Sequence, residues 1–499
     1  MHISPSKEVF IEQAAAANMV AVSAEISTDM ETPVSLYYKL VGNELGFIFE
    51  SVDTNKNFGR FSFIGAEPFA QLKLYKDHAD LFQGEKKSRL QGTPSETVKS
   101  YMEQFKIPDV IASLPLVHGG AIGYFAYESV ATFERIRGLD IPEDMVLGEF
   151  LLCQTLVVMD HLKHTSKLIC LAQITEKDHL ALVYQTMIEK LKAVYQKLQQ
   201  PVAPIAAVTK QQTVQHKKSF EERFGKLSKT YMDKVIAAKK YIVAGDIFQI
   251  VPSHKFQCKI KKPAFYFYRR LRQINPSPYM FYINFGKRKL IGSSPEMLVK
   301  VSGDTVYTYP IAGTRKRGKD AAEDRMLSKD LLADAKECAE HAMLVDLGRN
   351  DIGRVSRPGT VEVTKLMQIE KFSHVMHMVS EVKGTIKQGY TAIDVLKACF
   401  PAGTVSGAPK LRAMEIIHEL EMTERSTYAG CTGYIDFNGN MDMCITIRTI
   451  RLDDDTAFIQ AGGGIVADSI PENEYREILQ KAQVLFQVIE EVEEDDFIN

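Results

Sequence analysis

The segment from Thr456 to Lys481 constrains this chain more than any other. It opens with an apolar run, Thr456 to Ala461, that reads as a strand, and passes through Gly462-Gly463-Gly464. It then reaches Pro471 near the first turn of a helix, where a missing N–H does no harm. Three glycines let a ligand approach the backbone with no Cβ in the way. Beyond them Tyr475, Ile478, Leu479, Ala482, Leu485, Phe486 and Ile489 recur at helical spacing and predict a buried stripe. Glu474, Glu477 and Lys481 fall on a different face. A glycine cradle beside two carboxylates and an ammonium suits a small anion and a hard divalent cation. Taken alone, the same three side chains read first as a solvated face with one ordinary Glu477–Lys481 pair.

With 499 residues, 45% apolar and 25% charged, the chain has room for two or three ordinary domains or one unusually large one. A formal net charge of −2 gives no reason to expect nucleic acid or an anionic membrane as partner. No apolar run approaches the roughly 18 residues of a membrane span. The start of the chain, with Lys7, Glu8 and Glu12, lacks a signal-peptide pattern, so a cytoplasmic location is expected. The seven cysteines are scattered and form no Cys-x-x-Cys pair, which favours reduced, mostly buried thiols over zinc or iron–sulfur sites.

Residues 1–200 alternate short strands and helices. Phe61–Ile64 and Gln71–Tyr75 read as strands, and Thr93-Pro-Ser-Glu96 is a capping box that announces a helix. Phe150–Asp160 and Lys167–Ile174 read as a hairpin, and His179–Leu198 as an amphipathic helix. Residues 201–218, with two prolines and few large apolar side chains, read as a linker to a second part, 219–499. There a helix around Lys229–Val243 stops at Gly245, and Ile247–Val251 reads as a strand. Tyr279 to Tyr309 gives several strands, Asp320 to about Leu347 reads as one long helix, and Asn438-Gly439 signals a hairpin. Strands come in adjacent runs more than in regular alternation with helices, which predicts an α+β fold with large antiparallel sheets.

Several constellations carry chemistry. On the long helix Glu337, Glu340 and His341 are spaced to crowd one face, either a solvated acidic face or the border of a cavity. Phe400 to Lys410 is a Gly/Ser/Thr turn feeding a helix with Pro409 at its start, suited to a carboxylate or phosphate but not matching a P-loop. His374-Val-Met-His377 lies on a segment that reads as strand, where a histidine is commonly structural. Arg448 interrupts a strand pattern, and an inward arginine is expensive unless it meets an anion. Tyr428, before Ala429-Gly430, is ambiguous alone.

The set is specific where its members are not. Pro310-Ile-Ala-Gly-Thr-Arg-Lys-Arg-Gly318, Asp346-Leu-Gly-Arg-Asn-Asp351, Phe400 to Lys410, Ile445 to Thr449 and Gln460 to Gly464 follow in one order. Together they resemble the chorismate-utilising enzymes, most closely the large components of anthranilate synthases. The resemblance extends through Phe49-Glu-Ser51 and Gly59 to Gly65 in the N-terminal part. It implies antiparallel sheets packed as a sandwich with helices outside. The reaction it implies takes chorismate and ammonia to anthranilate and pyruvate with Mg²⁺, at the first committed step towards L-tryptophan.

Carried over by motif, Glu340 and Glu477, with Glu474 close by, resemble the metal ligands. Thr404, Gly313 and Thr314 resemble ring-side contacts, and Tyr428, Arg448, Gly462, Gly463, Gly464 and Lys481 the clamp on the enolpyruvyl carboxylate. Glu337 resembles the acid for the departing C4 hydroxyl, and His377 the histidine of the second stage. Glu50, Ser51, Pro278, Tyr279 and Met280 resemble tryptophan-binding elements that make the enzyme feedback-inhibited. No cysteine sits in a recognisable nucleophile elbow, so a separate glutamine amidotransferase subunit is expected, in a heterotetramer of two large and two small subunits. Related isochorismate and salicylate synthases carry a lysine base where this chain has Gln249. Aminodeoxychorismate synthase component I, the alternative within the family, typically carries a lysine nucleophile where this chain has Ala312. A non-catalytic relative is the other alternative, and retention of both acid clusters and both glycine loops argues against it.

Overall fold

The computed structural model describes residues 2–51, 60–108, 118–201, 229–371 and 375–494. Nearly all of the expected linker, and His374, lie outside the described residues. Among the described residues twenty-one strands join one hydrogen-bonded antiparallel network, and a further pair, Gln249–Ile250 with Gly407–Ala408, stands apart from it. The fold is α+β with large antiparallel sheets and helices outside. Among the described residues no helix is long and apolar enough to cross a membrane.

The two halves of the sequence share this network. Gly46–Glu50 pairs with Tyr279–Asn284, setting Glu50 opposite Met280, and Gly120–Phe125 pairs with Cys431–Asp436. The strand Gly148–Asp160 shows why the layers hold together. It is buried along both faces. Leu151, Cys153, Leu156 and Val158 meet Phe281, Ile283 and Cys444 in one core. Val157 and Met159 join another, beneath the helix Leu180–Gln199. A strand covered on both sides reads as a near-continuous apolar run rather than an alternating one.

The helix Pro471–Glu494 buries the stripe expected of it. Tyr475, Ile478, Ala482, Leu485, Phe486 and Ile489 are each at most 5% exposed, and Leu479 is partly buried. They pack against the helices Ala264–Ile274 and Lys229–Val243 and the strand Thr456–Gly462. At about 1.5–3 kcal/mol for each large side chain, that face fixes the helix and hence where its opposite, acidic face stands.

Three elements differ from the sequence-based expectation. The two strands expected between Phe61 and Tyr75 are one, Phe61–Leu74, with an irregular register at Pro68 and a left-handed Glu67. Proline cannot complete the ladder, so the strand bulges there instead of ending. The long helix after Asp320 is two, Ala321–Ala333 and Ala335–Gly353, broken at Asp334. The Asp334 carboxylate accepts the N–H groups of Lys336 and Glu337 and so starts the second helix. The strand expected over Ile247–Val251 shortens to Gln249–Ile250, because its partner is only the two-residue Gly407–Ala408.

Candidate active site

The glycine run after the strand Thr456–Gly462 meets the acidic face of Pro471–Glu494, and the contacts are close. Lys481 Nζ donates to the Gly462 carbonyl at 3.1 Å and pairs with Glu477 at 2.7 Å. A Cβ built on Gly462 would stand 2.7 Å from the Tyr428 hydroxyl, and one on Gly464 2.6 Å from Gln249 Nε2. Glycine is needed at both positions for those groups to reach the backbone. Arg448, in a left-handed conformation (φ 50°), donates from Nη1 to the Lys481 carbonyl at 2.6 Å. Burial holds its guanidinium below the usual range, with Tyr428 and Glu477 the charges opposing that shift. Tyr428, Arg448, Gly462, Gly463, Gly464 and Lys481 are thus brought together around the glycine run.

The carboxylates gather beside it. Glu340, on the helix Ala335–Gly353, opens towards solvent but is walled closely enough that desolvation raises its pKa, with repulsion from Glu337 and Glu477 adding. The Gln249 amide lies beside the Glu340 carboxylate and opposes that rise. Desolvation also raises Glu474, and Glu477 repels it further. Among the described residues Glu474 Oε2 is buried without a hydrogen-bond partner. His341, expected to share the acids' face, turns the other way. It is fully buried, with Nε2 2.6 Å from Ser380 Oγ.

The opposite wall is the strand pair Ile311–Lys316 and Val375–Thr385, which sets Thr314 opposite His377. His377 Nδ1 lies 3.1 Å from the Gly313 carbonyl and 3.0 Å from Thr314 Oγ1. A carbonyl only accepts, so Nδ1 carries the proton and Nε2 is the basic nitrogen. Desolvation lowers the histidine pKa, keeping the ring neutral near pH 7. Glu337 lies on the same side: its Oε2 is 3.2 Å from where a Gly313 Cβ would stand, and its Oε1 accepts from Arg315 Nη1 at 3.3 Å. Arg315 also binds Asp330 and Asp334, so it ties the broken helix pair to the strand.

One group in the cleft is not singled out by the sequence. Glu296, between the strands Arg288–Ser294 and Met297–Ser302, accepts a hydrogen bond from Thr404 Oγ1 at 2.9 Å. Burial pushes its pKa up to about 7, against the Thr404 hydrogen bond and the nearby charge of Lys481. Its signal was a lone acid between two apolar strand patterns, which must be paired or protonated when buried.

These loops are held by a second group that the sequence also left unmarked. Arg425, 2% exposed, donates to the carbonyls of Val405 and Val251 at 2.8 and 2.6 Å. It forms a two-pronged pair with Glu421 at 2.9 and 2.6 Å. Its backbone N–H donates to Glu128 of the N-terminal part at 2.6 Å. One buried cation therefore fixes the segments that carry Gln249 and Thr404, and its guanidinium lies 5.5 Å from the Tyr428 ring centroid.

With this geometry in hand the comparisons are decisive. Residues 47–487 match the chorismate binding enzyme family. The chain belongs to that family. Anthranilate synthase component 1 of Acetivibrio thermocellus is 44% identical over 489 residues, covering 96% of each chain. That of Aquifex aeolicus is 42% identical, again covering 96% of each. The crystal structure of anthranilate synthase component I from Streptococcus pneumoniae TIGR4 aligns with a TM-score of 0.71 at 36% identity, covering 92% of this chain and 98% of that one. The menaquinone-specific isochorismate synthase of Escherichia coli, 17% identical with a TM-score of 0.69 over 97% of this chain and 99% of its own, shares the fold.

Away from the cleft, this member of the chorismate binding family brings the five expected effector residues to one seam. Glu50 faces Met280 across paired strands, followed by Ser51, with Pro278 and Tyr279 preceding Met280. The Glu50 carboxylate is buried and accepts from Tyr268 Oη at 2.6 Å and Arg272 Nε at 2.7 Å. Tyr279 Oη donates to Asp442 at 2.9 Å. Among the described residues no group of three or more His, Cys, Asp or Glu converges as a self-contained metal cage.

Proposed function

We propose that this chain is the chorismate-converting component of an anthranilate synthase, acting in tryptophan biosynthesis in the cytoplasm. It joins ammonia to C2 of chorismate, then releases pyruvate to give anthranilate. The observation that carries this is Gln249, whose amide stands against Gly464 and beside the Glu340 carboxylate at the acidic end of the cleft. A glutamine cannot take a proton from water near neutral pH, whereas ammonia needs no such base. Ala312, in the strand opposite Met378, has no group to form the ring adduct of an aminodeoxychorismate synthase.

The residues fit Mg²⁺. Glu340 and Glu477 offer hard oxygen donors, Glu474 adds a buried oxygen without a partner, and the mutual repulsion of these acids calls for a cation. A water-rich Mg²⁺ needs no cage of three protein groups. When bound, the ion supplies neutralising charge for the ring carboxylate. Arg448, Tyr428, Lys481 and the backbone of Gly462 to Gly464 orient the enolpyruvyl carboxylate through hydrogen bonds worth about 1.5–3 kcal/mol each where charge-assisted.

Two carboxyls are candidates for protonating the leaving C4 hydroxyl. Glu337 is the one the family motif suggests, but it is half-open to solvent and paired with Arg315. Glu296 is partly buried, hydrogen-bonded to Thr404 rather than paired with a cation, and desolvation pushes its pKa up to about 7, which matches the needs of a general acid. The proposal therefore gives proton donation to Glu296 and leaves Glu337 to shape the cleft beside Gly313. Neutral His377, through Nε2, takes the ring proton as pyruvate leaves and the ring becomes aromatic.

Five of the seven cysteines are buried, and burial pushes the Cys170 and Cys431 thiols up to about 11 and 12. Such thiols do not hydrolyse glutamine, which supports an amidotransferase subunit as ammonia source, in a heterotetramer. Tryptophan binding at the Glu50–Met280 seam would bias how the two halves of the chain sit together, which is the basis of the feedback reading. Ser51→Phe should retain activity and raise the inhibitory tryptophan concentration roughly tenfold or more, a coupling loss of about 1.4 kcal/mol. Unchanged sensitivity would place the effector elsewhere.

The deciding experiment incubates the purified chain with chorismate, Mg²⁺ and ammonium and identifies products by mass spectrometry and NMR. Ortho-aminobenzoate and pyruvate are expected, with none formed when glutamine replaces ammonium. Isochorismate, salicylate or a 4-amino product as the main species would overturn the reading.

A further inference from the structure

Asp351 and Lys410, both in segments that mark the family, play no part in the mechanism above, yet they meet. Lys410 Nζ donates to Asp351 Oδ2 at 2.8 Å and to the Cys399 carbonyl at 3.3 Å. Both side chains keep a little exposure, 14% and 12%. Asp351 lies about 16 Å farther along the helix that carries Glu340. Between the reaction cleft and this pair is a cavity of about 50 Å³, lined by Glu296 and Thr404, by Leu344 and Gly348 of the helix, and by Thr308 and Asp351. A water needs roughly 10–15 Å³ and two to four polar partners, so the space suits about three waters. Glu296, Thr308, Tyr309, Asp351 and Thr404 are the polar residues of its lining. The helix side is close-packed, since a Cβ on Gly348 would stand 3.1 Å from the Thr308 methyl.

We propose that this cavity is a water chamber that receives the leaving-group water and returns a proton to Glu296 from the Asp351–Lys410 end. The idea rests on the anthranilate synthase reading with Glu296 as donor. In that step the Glu296 O–H bond breaks and its proton joins the C4 hydroxyl oxygen. The C4–O bond then breaks with both electrons leaving on oxygen, so water and a carboxylate are formed. The nitrogen now bonded to C2 carries one proton in excess and releases it to water. One proton re-enters through the chamber to restore the Glu296 carboxyl, and atoms and charge balance with no oxidant or reductant. A reaction that forms one water per turnover against a partly buried acid needs a place for that water, and Glu296 lines the cavity.

Leu344→Phe places a larger side chain in the chamber wall, and Asp351→Asn removes the acid at its far end. Leu344→Phe is expected to lower kcat at saturating chorismate and ammonium by roughly tenfold or more, with KM for chorismate within about twofold. The solvent deuterium isotope effect on kcat should rise, which a merely structural change would not produce. Asp351→Asn should move both quantities in the same direction. Parent-like kcat and isotope effect in both variants, at unchanged melting temperature, overturn the proposal. Should either variant fail to fold, a crystal structure of the parent that orders solvent decides: waters between Glu296 and Asp351 support the chamber, and a dry cavity overturns it. Absence of anthranilate from the parent would strike the functional reading instead, and the crystallographic waters would still judge the chamber.

Discussion

The charged groups on the two sides of Tyr428 are wired in opposite ways. Around Arg425 each carboxylate oxygen has a donor. Glu421 accepts from Arg425 and from the Ser253 N–H and hydroxyl, and Glu128 accepts the N–H groups of Arg425 and Ser426. Around Lys481 the accounts stay open. Glu474 Oε2 has no partner, Glu340 is repelled by Glu337 and Glu477, and one ammonium serves Glu477 and the Gly462 carbonyl. A closed network holds segments in place, whereas an open one is built to be completed by something that arrives. Charge alone does not separate the two regions. Satisfaction does.

The contrast breaks most visibly under substitution. Glu340→Gln or Glu477→Gln should abolish turnover, a loss of roughly a thousandfold or more, because two carboxylates are few ligands for a water-rich cation. Either change also relieves repulsion, so the melting temperature without Mg²⁺ should hold or rise. Arg425→Met should do the reverse to the fold. Removing one partner of a buried pair costs about 3–5 kcal/mol, seen as a lower urea midpoint at unchanged slope. Activity in the surviving folded fraction should fall less than in the Glu340 variant. Full activity in either glutamine variant at ordinary Mg²⁺, or an unmoved urea midpoint in Arg425→Met, would erase the distinction between the two regions.

Which parts of this were legible in the sequence follows from how each is encoded. Glu474, Glu477 and Lys481 could be placed on one face because helical period fixes faces, and the buried stripe from Tyr475 to Ile489 fixed which face was inside. Caps and turns such as Thr93–Glu96 and Asn438-Gly439 are local and were readable. The pairing of Gly46–Glu50 with Tyr279–Asn284 is not legible in the sequence, since nothing local in either strand names a partner more than two hundred residues away; the resemblance assigns Glu50 and Met280 to one effector site and names no strand pair. Glu296 was passed over because Ser293-Ser-Pro-Glu296 looks like an ordinary polar turn until its burial is known. Arg425 was passed over for a related reason: an (i, i+4) pair with Glu421 reads as surface decoration, and only the tertiary structure shows both at a few percent exposure.

The smallest expected effect tests the protonation state on which the acid assignment depends. Burial pushes Glu296 and Glu128 up to about 7 in the folded chain, whereas an unfolded glutamate titrates near 4.3. Between about pH 4.5 and 7 the folded state therefore binds more protons than the unfolded one. The stability these groups contribute is fully present below that window and is lost as pH rises through it, by at most about 1.4 kcal/mol per pH unit for each group. Neutral histidines act oppositely: desolvation lowers His341 and His377, so their contribution grows as pH rises. The slope of the parent alone is thus uninformative, and the difference between parent and Glu296→Gln is the measurement. Glutamine is neutral at every pH, so the variant should lose less stability than the parent between pH 5 and 7 in urea titrations. Its kcat should fall by about 10²–10⁴-fold, the usual range for loss of a positioned general acid. Coincident pH–stability curves would mean that Glu296 is already a carboxylate in the folded chain, and proton donation would then pass to another group in the cleft.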